Sequence, residues 1–150
     1  MNHHRAWVEV DLEVLRSNLR NLAKLVAPSR VGAVVKSEAY GHGLIPVAMA
    51  LESEDIWGVC VVETSEGKRL RAAGFKKPIL IVGASFQEEM EEAVDNDLTL
   101  AVYDVEQAKE LSRASVKVGK AAKVHLKVDT GLSRLSITTD EARDFYAEVK

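Results

Sequence analysis

Short apolar runs alternate with longer amphipathic stretches along most of this chain of 150 residues. Five apolar runs predict strands, at residues 31–36, 56–63, 78–83, 98–104 and 123–129. The segments between them have helical character and the loops are short, so the pattern is a repeated strand–helix unit. Such repeats build a mainly parallel sheet with helices packed over it. Ahead of the first strand, Leu12, Leu15, Leu19, Leu22 and Val26 recur at steps of three and four, which marks one face of a helix. Asp11 is placed to cap that helix. Trp7-Val-Glu-Val10 reads as a further short strand before it.

Five such units fit two architectures. A doubly wound open sheet would be complete at this length, whereas a (β/α)8 barrel needs three more strands. In the last run, Val124, Leu126 and Val128 share one face, while His125, Lys127 and Asp129 share the other. The first set suits a layer of helices; the second is tolerable only against partners or a wet cavity. Periodicity alone leaves both architectures open.

Composition narrows the class. Hydrophobic residues make up 47% and charged residues 29%, the balance of a globular protein rather than a disordered one. A net charge of −3 gives no electrostatic reason to expect nucleic acid or a membrane surface as partner. No apolar run approaches the roughly 20 residues of a transmembrane helix. The start, MNHHRAWVEVDL, lacks the apolar stretch of a signal peptide, so the expected location is cytoplasmic. Cys60 stands alone inside the apolar run Val59-Cys-Val-Val62 and reads as a small buried hydrophobe.

The chemistry lies in two blocks. The strand at 31–36 ends on Lys36, followed by Ser37-Glu-Ala-Tyr40 and then Gly41-His-Gly43 before a helix beginning near Leu44. An amine held at a strand end can form an imine with an aldehyde, if it is unprotonated and correctly aimed. Burial and nearby positive charge both favour the unprotonated amine. From position alone a snorkelling lysine is the plainer reading. The two glycines permit a tight turn with close backbone approach. In the second block, Lys127-Val-Asp-Thr-Gly-Leu-Ser-Arg134, two cations approach one site and need an anionic partner, such as Asp129 or a bound carboxylate.

The segment AVVKSEAYGHG resembles the cofactor-lysine signature of the alanine racemase family, and the block from Lys127 to Leu135 resembles its second amino-terminal signature. The resemblance spans essentially the whole chain but only the first part of the family's length. It implies the amino-terminal portion (residues 1–150) of a fold-type III barrel domain that binds pyridoxal 5'-phosphate, with the rest of the barrel and a mostly β second domain lying outside this sequence. It implies that Lys36 carries the cofactor and moves a proton at the substrate Cα, and that Tyr40 contacts the cofactor phosphate. Lys127 matches a lysine commonly carbamylated by CO2, which orients the arginine matching Arg134 beside the cofactor phenolic oxygen and the substrate carboxylate. The implied activity is interconversion of L- and D-alanine, feeding cell-wall precursors. It proceeds by two-base proton transfer in a homodimer whose second base, a tyrosine, comes from the other domain of the partner subunit. Alternatives are a racemase for another amino acid, such as serine, or a non-catalytic carrier of the same cofactor.

Some positions depart from the family pattern. Ser37 and Glu38 replace a usual Ala-Asp or Ala-Asn, Leu132 a methionine, and Ser133 and Ser136 frequent glycines. Other features have plain readings. Glu88-Glu-Met-Glu-Glu92 is a solvated helix face, His3 and His4 lack further ligands at metal spacing, and Trp7 and Trp57 are packing residues. His42 reads as a turn or packing residue. Tyr103 and Tyr146 lie outside the motifs, and residues 140–150 read as part of a helix.

Overall fold

A computed structural model describes residues 6–150; His3 and His4 lie outside the described residues. Five parallel strands stand side by side in chain order: β1 (Gly32–Val34), β2 (Gly58–Val61), β3 (Ile79–Ile81), β4 (Thr99–Val102) and β5 (Lys123–Leu126). The helices are α1 (Leu12–Val26), α2 (Lys36–Tyr40), α3 (Leu44–Glu52), α4 (Thr64–Ala72), α5 (Gln87–Asp95), α6 (Val105–Val118) and α7 (Ala142–Val149). Each connection steps to the next strand in the same direction, and the order never reverses. A doubly wound sheet requires a reversal, whereas a barrel is wound in one direction throughout. The sheet is therefore an arc of an α/β barrel.

The core lies between one sheet face and the helices. Val59, Val61, Ile79, Ile81, Leu100 and Val102 are buried there with Leu44, Leu70, Met90 and Leu111. Register places Val34, Cys60, Leu80 and Thr99 in one row across the sheet, out of phase with that set. Cys60 is buried as expected, and burial pushes its thiol pKa up. The last strand ends at Leu126 rather than at Asp129, and its expected parity holds only in part, since Val124 is 38% exposed. Leu126 and Val128 pack on the core, while His125 faces Trp57 with ring centroids 5.3 Å apart.

Local chemistry sets the element ends. Asp11 caps α1, its Oδ1 accepting from the Glu13 and Val14 N–H groups at 2.9 and 3.0 Å. Asp104, expected to end a strand, instead caps α6 by accepting from Glu106 and Gln107. The acidic run on α5 is a helix surface, with Glu91 and Glu92 paired to Lys117 and Lys68.

Two expectations fail at the amino-terminal side. Residues 7–10 form no strand, and Trp7, expected to pack, is 76% exposed. Among the described residues β1 pairs only with β2, and residues 7–10 do not join its outer edge. The apolar stripe of α1 is also only partly covered. Leu19 is buried and Leu12 and Leu15 pack beside it, but Leu22 and Val26 remain exposed.

Candidate functional site

The strand ladder continues past β1 through the Val35 N–H, which donates to the Cys60 carbonyl at 2.9 Å, and so delivers Lys36 to the carboxyl end of the sheet. Lys36 then opens α2, a single turn of left-handed hand rather than the last residue of a strand. Ser37, Glu38, Ala39 and Tyr40 have φ of 53°, 56°, 50° and 56°. Each L-residue in that region costs roughly 1–2 kcal/mol, so four in succession need support. Gly41 (φ 91°) leaves the turn without a steric penalty.

The support comes from neighbouring carboxylates. Glu66 on α4 accepts from the Ser37 N–H at 2.5 Å through Oε1, and from the Val62 and Glu63 N–H groups at 2.9 and 3.2 Å through Oε2. Glu66 is only 7% exposed. Glu38 accepts from the Leu44 N–H at 3.2 Å and pairs with Arg69. Arg69 first, and then the Leu44 N–H, hold the Glu38 carboxyl below its usual pKa. His42 Nδ1 lies 2.8 Å from the Ala39 carbonyl, the turn role expected of it. Glu66 escaped the sequence reading. Its trace there is Glu63-Thr-Ser-Glu66 directly after an apolar run, a capping-box spacing with an acidic cap.

A cavity of about 420 Å³ opens at the carboxyl ends of the strands, lined among others by Lys36, Val62, Gly83, Lys127, Asp129 and Arg134. A Cβ at Gly83 would lie 2.3 Å from the Val62 carbonyl oxygen, so only glycine lets the ends of β2 and β3 approach this closely. Lys127 Nζ donates to the Val82 carbonyl at 2.7 Å. Its pKa is lowered, first by burial, then by the charges of Arg134 and Lys36. The anionic partner foreseen in Asp129 is engaged elsewhere. Asp129 Oδ1 accepts from the N–H groups of Gly131 and Ser133 at 2.8 and 3.0 Å, and these contacts hold its carboxyl below the usual range.

The loop bearing Arg134 is closed at its base by a bridge between Val128 and Ile137. The Ile137 N–H donates to Lys127 and the Asp129 N–H to Ile137, at 2.9 and 2.7 Å. Ser133 takes a positive φ of 50°, which explains why glycine is suited to that position. Lys36, Lys127 and Arg134 are thus brought to one cavity from sequence positions far apart. Tyr40 is not among its lining residues and is 62% exposed on the left-handed turn.

Three cationic side chains with the nearby carboxylate tied to backbone N–H groups form a donor set suited to an anionic ligand. An amine at a strand end within that set is suited to an aldehyde. The residues present therefore fit pyridoxal 5'-phosphate.

Fold and site together define an α/β-barrel domain with a lysine-bearing cationic cavity at the carboxyl ends of its strands. Residues 10–150 match the family described as alanine racemase, N-terminal domain, and the chain belongs to that family. It is 38% identical to an alanine racemase of Methanococcus maripaludis over 143 residues, covering 95% of this chain and 38% of that protein. It is 44% identical to alanine racemase 1 of Caldanaerobacter subterraneus subsp. tengcongensis over 129 residues, 85% of this chain and 33% of that protein. Among solved structures, the alanine racemase of Clostridium difficile 630 superposes with a TM-score of 0.84 at 33% identity, over 92% of this chain and 36% of that one. That of Bacillus anthracis, described with bound L-Ala-P, gives 0.83 at 32% identity over 99% of this chain and 39% of that one. The chain thus spans well under half the length of these relatives.

Proposed function

We propose that residues 1–150 are the cofactor-lysine portion of a pyridoxal-phosphate-dependent racemase that interconverts L- and D-alanine. The observation that carries this reading is the convergence of Lys36, Lys127 and Arg134 on one cavity, in a chain of the alanine racemase family. Lys36 would hold the cofactor covalently and Tyr40 and Arg134 would hold its oxygens. When bound, the cofactor supplies a conjugated ring that draws electron density from the substrate Cα and makes its proton removable.

The chain's own residues account for one side of that chemistry. Once the substrate amine has taken its place on the cofactor, the freed Lys36 amine would remove the Cα proton from one face in one direction of the reaction and supply a proton to that face in the other. Racemisation requires a second group to do the converse on the opposite face. That group is proposed to be a tyrosine from another domain of a partner subunit, in a cytoplasmic homodimer. The Arg134 guanidinium, planar and with several donors, binds the substrate carboxylate in a fixed orientation. Lys127, carrying a carbamate, would be the anion that steadies Arg134. Carbamate formation joins the unprotonated amine nitrogen to the carbon of CO2 and releases one proton. The lowered pKa of Lys127 favours that amine form.

The test is borohydride trapping with pyridoxal phosphate, followed by peptide mapping, in the full reading frame that encodes this chain. A pyridoxyl group should be found on Lys36 and should vanish in Lys36→Ala together with racemisation. Consistent labelling of another lysine would refute the assignment.

A further inference from the structure

Two strand ends meet on one carboxylate. Glu66 Oε1 takes the Ser37 N–H, the first donor after Lys36, at 2.5 Å. Its Oε2 takes the Val62 and Glu63 N–H groups, the first donors beyond β2, at 2.9 and 3.2 Å. Lys36 and Val62 both line the cavity, so Glu66 sets the separation of two adjacent walls of the site from behind. Three residues further along α4, Arg69 pairs with Glu38 in the same left-handed turn. One helix therefore grips the turn at two consecutive residues, Ser37 and Glu38. The turn needs gripping, because its four L-residues sit at positive φ and each would relax into a right-handed or extended conformation if released.

We infer that Glu66 is a positioning residue for Lys36: by accepting from the Ser37 N–H it locks the left-handed turn that aims the Lys36 amine into the cavity. The inference rests on the reading of Lys36 as the cofactor lysine. The geometry is demanding. A carboxylate presents two acceptor oxygens to three N–H donors, whereas the amide of a glutamine presents one oxygen and an NH2 group. Glu66→Gln keeps the shape but forces an N–H facing an N–H either at Ser37 or at Val62 and Glu63. A displacement of about 1 Å at a reacting group can cost on the order of a hundredfold in rate. Ser37→Gly should offset the loss, because glycine holds a positive φ without a steric penalty.

The experiment follows the rate at which pyridoxal phosphate becomes trappable by borohydride on Lys36, read by mass spectrometry in the complete protein. Glu66→Gln should slow Lys36 labelling by roughly tenfold to a hundredfold, and Glu66→Gln/Ser37→Gly should recover part of the rate. Arg71→Met serves as the stability control. Arg71 acts at the opposite end of the sheet, donating to the carbonyls of Phe75, Lys77, Asn96 and Asp97. Rates are compared at temperatures giving equal folded fractions. Normal labelling in Arg71→Met with slowed labelling in Glu66→Gln supports the positioning role. Equal labelling of Lys36 in Glu66→Gln and the unaltered protein overturns it and leaves the Lys36 reading standing. An equal loss in Arg71→Met, or no recovery with Ser37→Gly, also overturns it. Absence of pyridoxyl from Lys36 in the unaltered protein removes the Lys36 reading and this inference with it.

Discussion

Lys127 and Asp129 stand two residues apart just beyond the end of β5, yet their surroundings treat them in opposite ways. Burial and two neighbouring cations disfavour the Lys127 ammonium, so its pKa falls. The unfolded chain then binds more protons than the folded one between the lowered value and the ordinary lysine pKa. Folding stability from this residue therefore rises as pH rises through that window. The same shift leaves more free amine near neutral pH than an exposed lysine has. Exposure to 13C-labelled CO2 should consequently give a carbamate signal that disappears in Lys127→Arg; persistence of the signal in that variant would remove the proposed modification. For Asp129 the sign reverses. Its folded pKa is depressed by the N–H groups of Gly131 and Ser133, so its contribution is complete above the unfolded carboxylate pKa and is lost as pH falls through the folded one. Protection of the Gly131 and Ser133 amides against exchange, taken relative to their intrinsic rates at each pH, should therefore fall on acidification through the carboxylate range, and Asp129→Asn should flatten that response. An unchanged pH profile in Asp129→Asn would show that the carboxylate does not hold the loop.

At the scale of elements, the ends of helices and strands carry the organisation. Arg71, near the end of α4, donates to four backbone carbonyls belonging to the approaches to β3 and β4. A guanidinium is the one side chain with enough donors in a fixed fork for this task. Arg71→Met preserves much of the length but orphans those carbonyls and should lower unfolding stability by about 2–4 kcal/mol, measurable by urea denaturation. A change within about 0.5 kcal/mol would mean that water replaces the guanidinium at little cost. Glu66 works at the other end of the same helix. α4 therefore ties the sheet at both ends while its Leu70 is buried in the core.

At the scale of the whole molecule, the arc formed by the described residues is open on both sides. Val34 on β1 is 48% exposed and Val124 on β5 is 38% exposed, where strands inside a closed barrel would be covered. A groove of about 420 Å³ runs between α1 and β1, lined by Leu15, Leu19, Leu22, Val31 and Val34 among others. Open strand edges and apolar grooves favour association. Residues 1–150 made alone should therefore elute above monomer size on gel filtration, and should not convert L-alanine to D-alanine with excess pyridoxal phosphate. Turnover comparable to that of the full-length relatives would show that the second base lies within these residues after all.

The pattern of apolar runs determined the strand–helix alternation, the α1 face and its Asp11 cap, because these depend on neighbours three or four residues away. The two motif blocks pointed to Lys36, Tyr40, Lys127 and Arg134, and the strand parity put Lys127 on the polar face. Strand order was a different matter. A doubly wound sheet and a barrel share the same local periodicity and differ only in which strand lies beside which, so the unreversed order of β1 to β5 is a tertiary fact. The failed strand at 7–10 is a tertiary matter too, since alternation within a segment does not say whether it lies against a strand edge. The left-handed turn after Lys36 was also illegible, because no residue of Ser37-Glu-Ala-Tyr40 prefers that hand. Glu66, twenty-nine residues beyond Ser37, supplies a contact that sequence spacing does not encode. Sequence pointed to the candidate side chains; the contact of Glu66 on α4 with the N–H groups of Ser37, Val62 and Glu63 exists only in the folded chain.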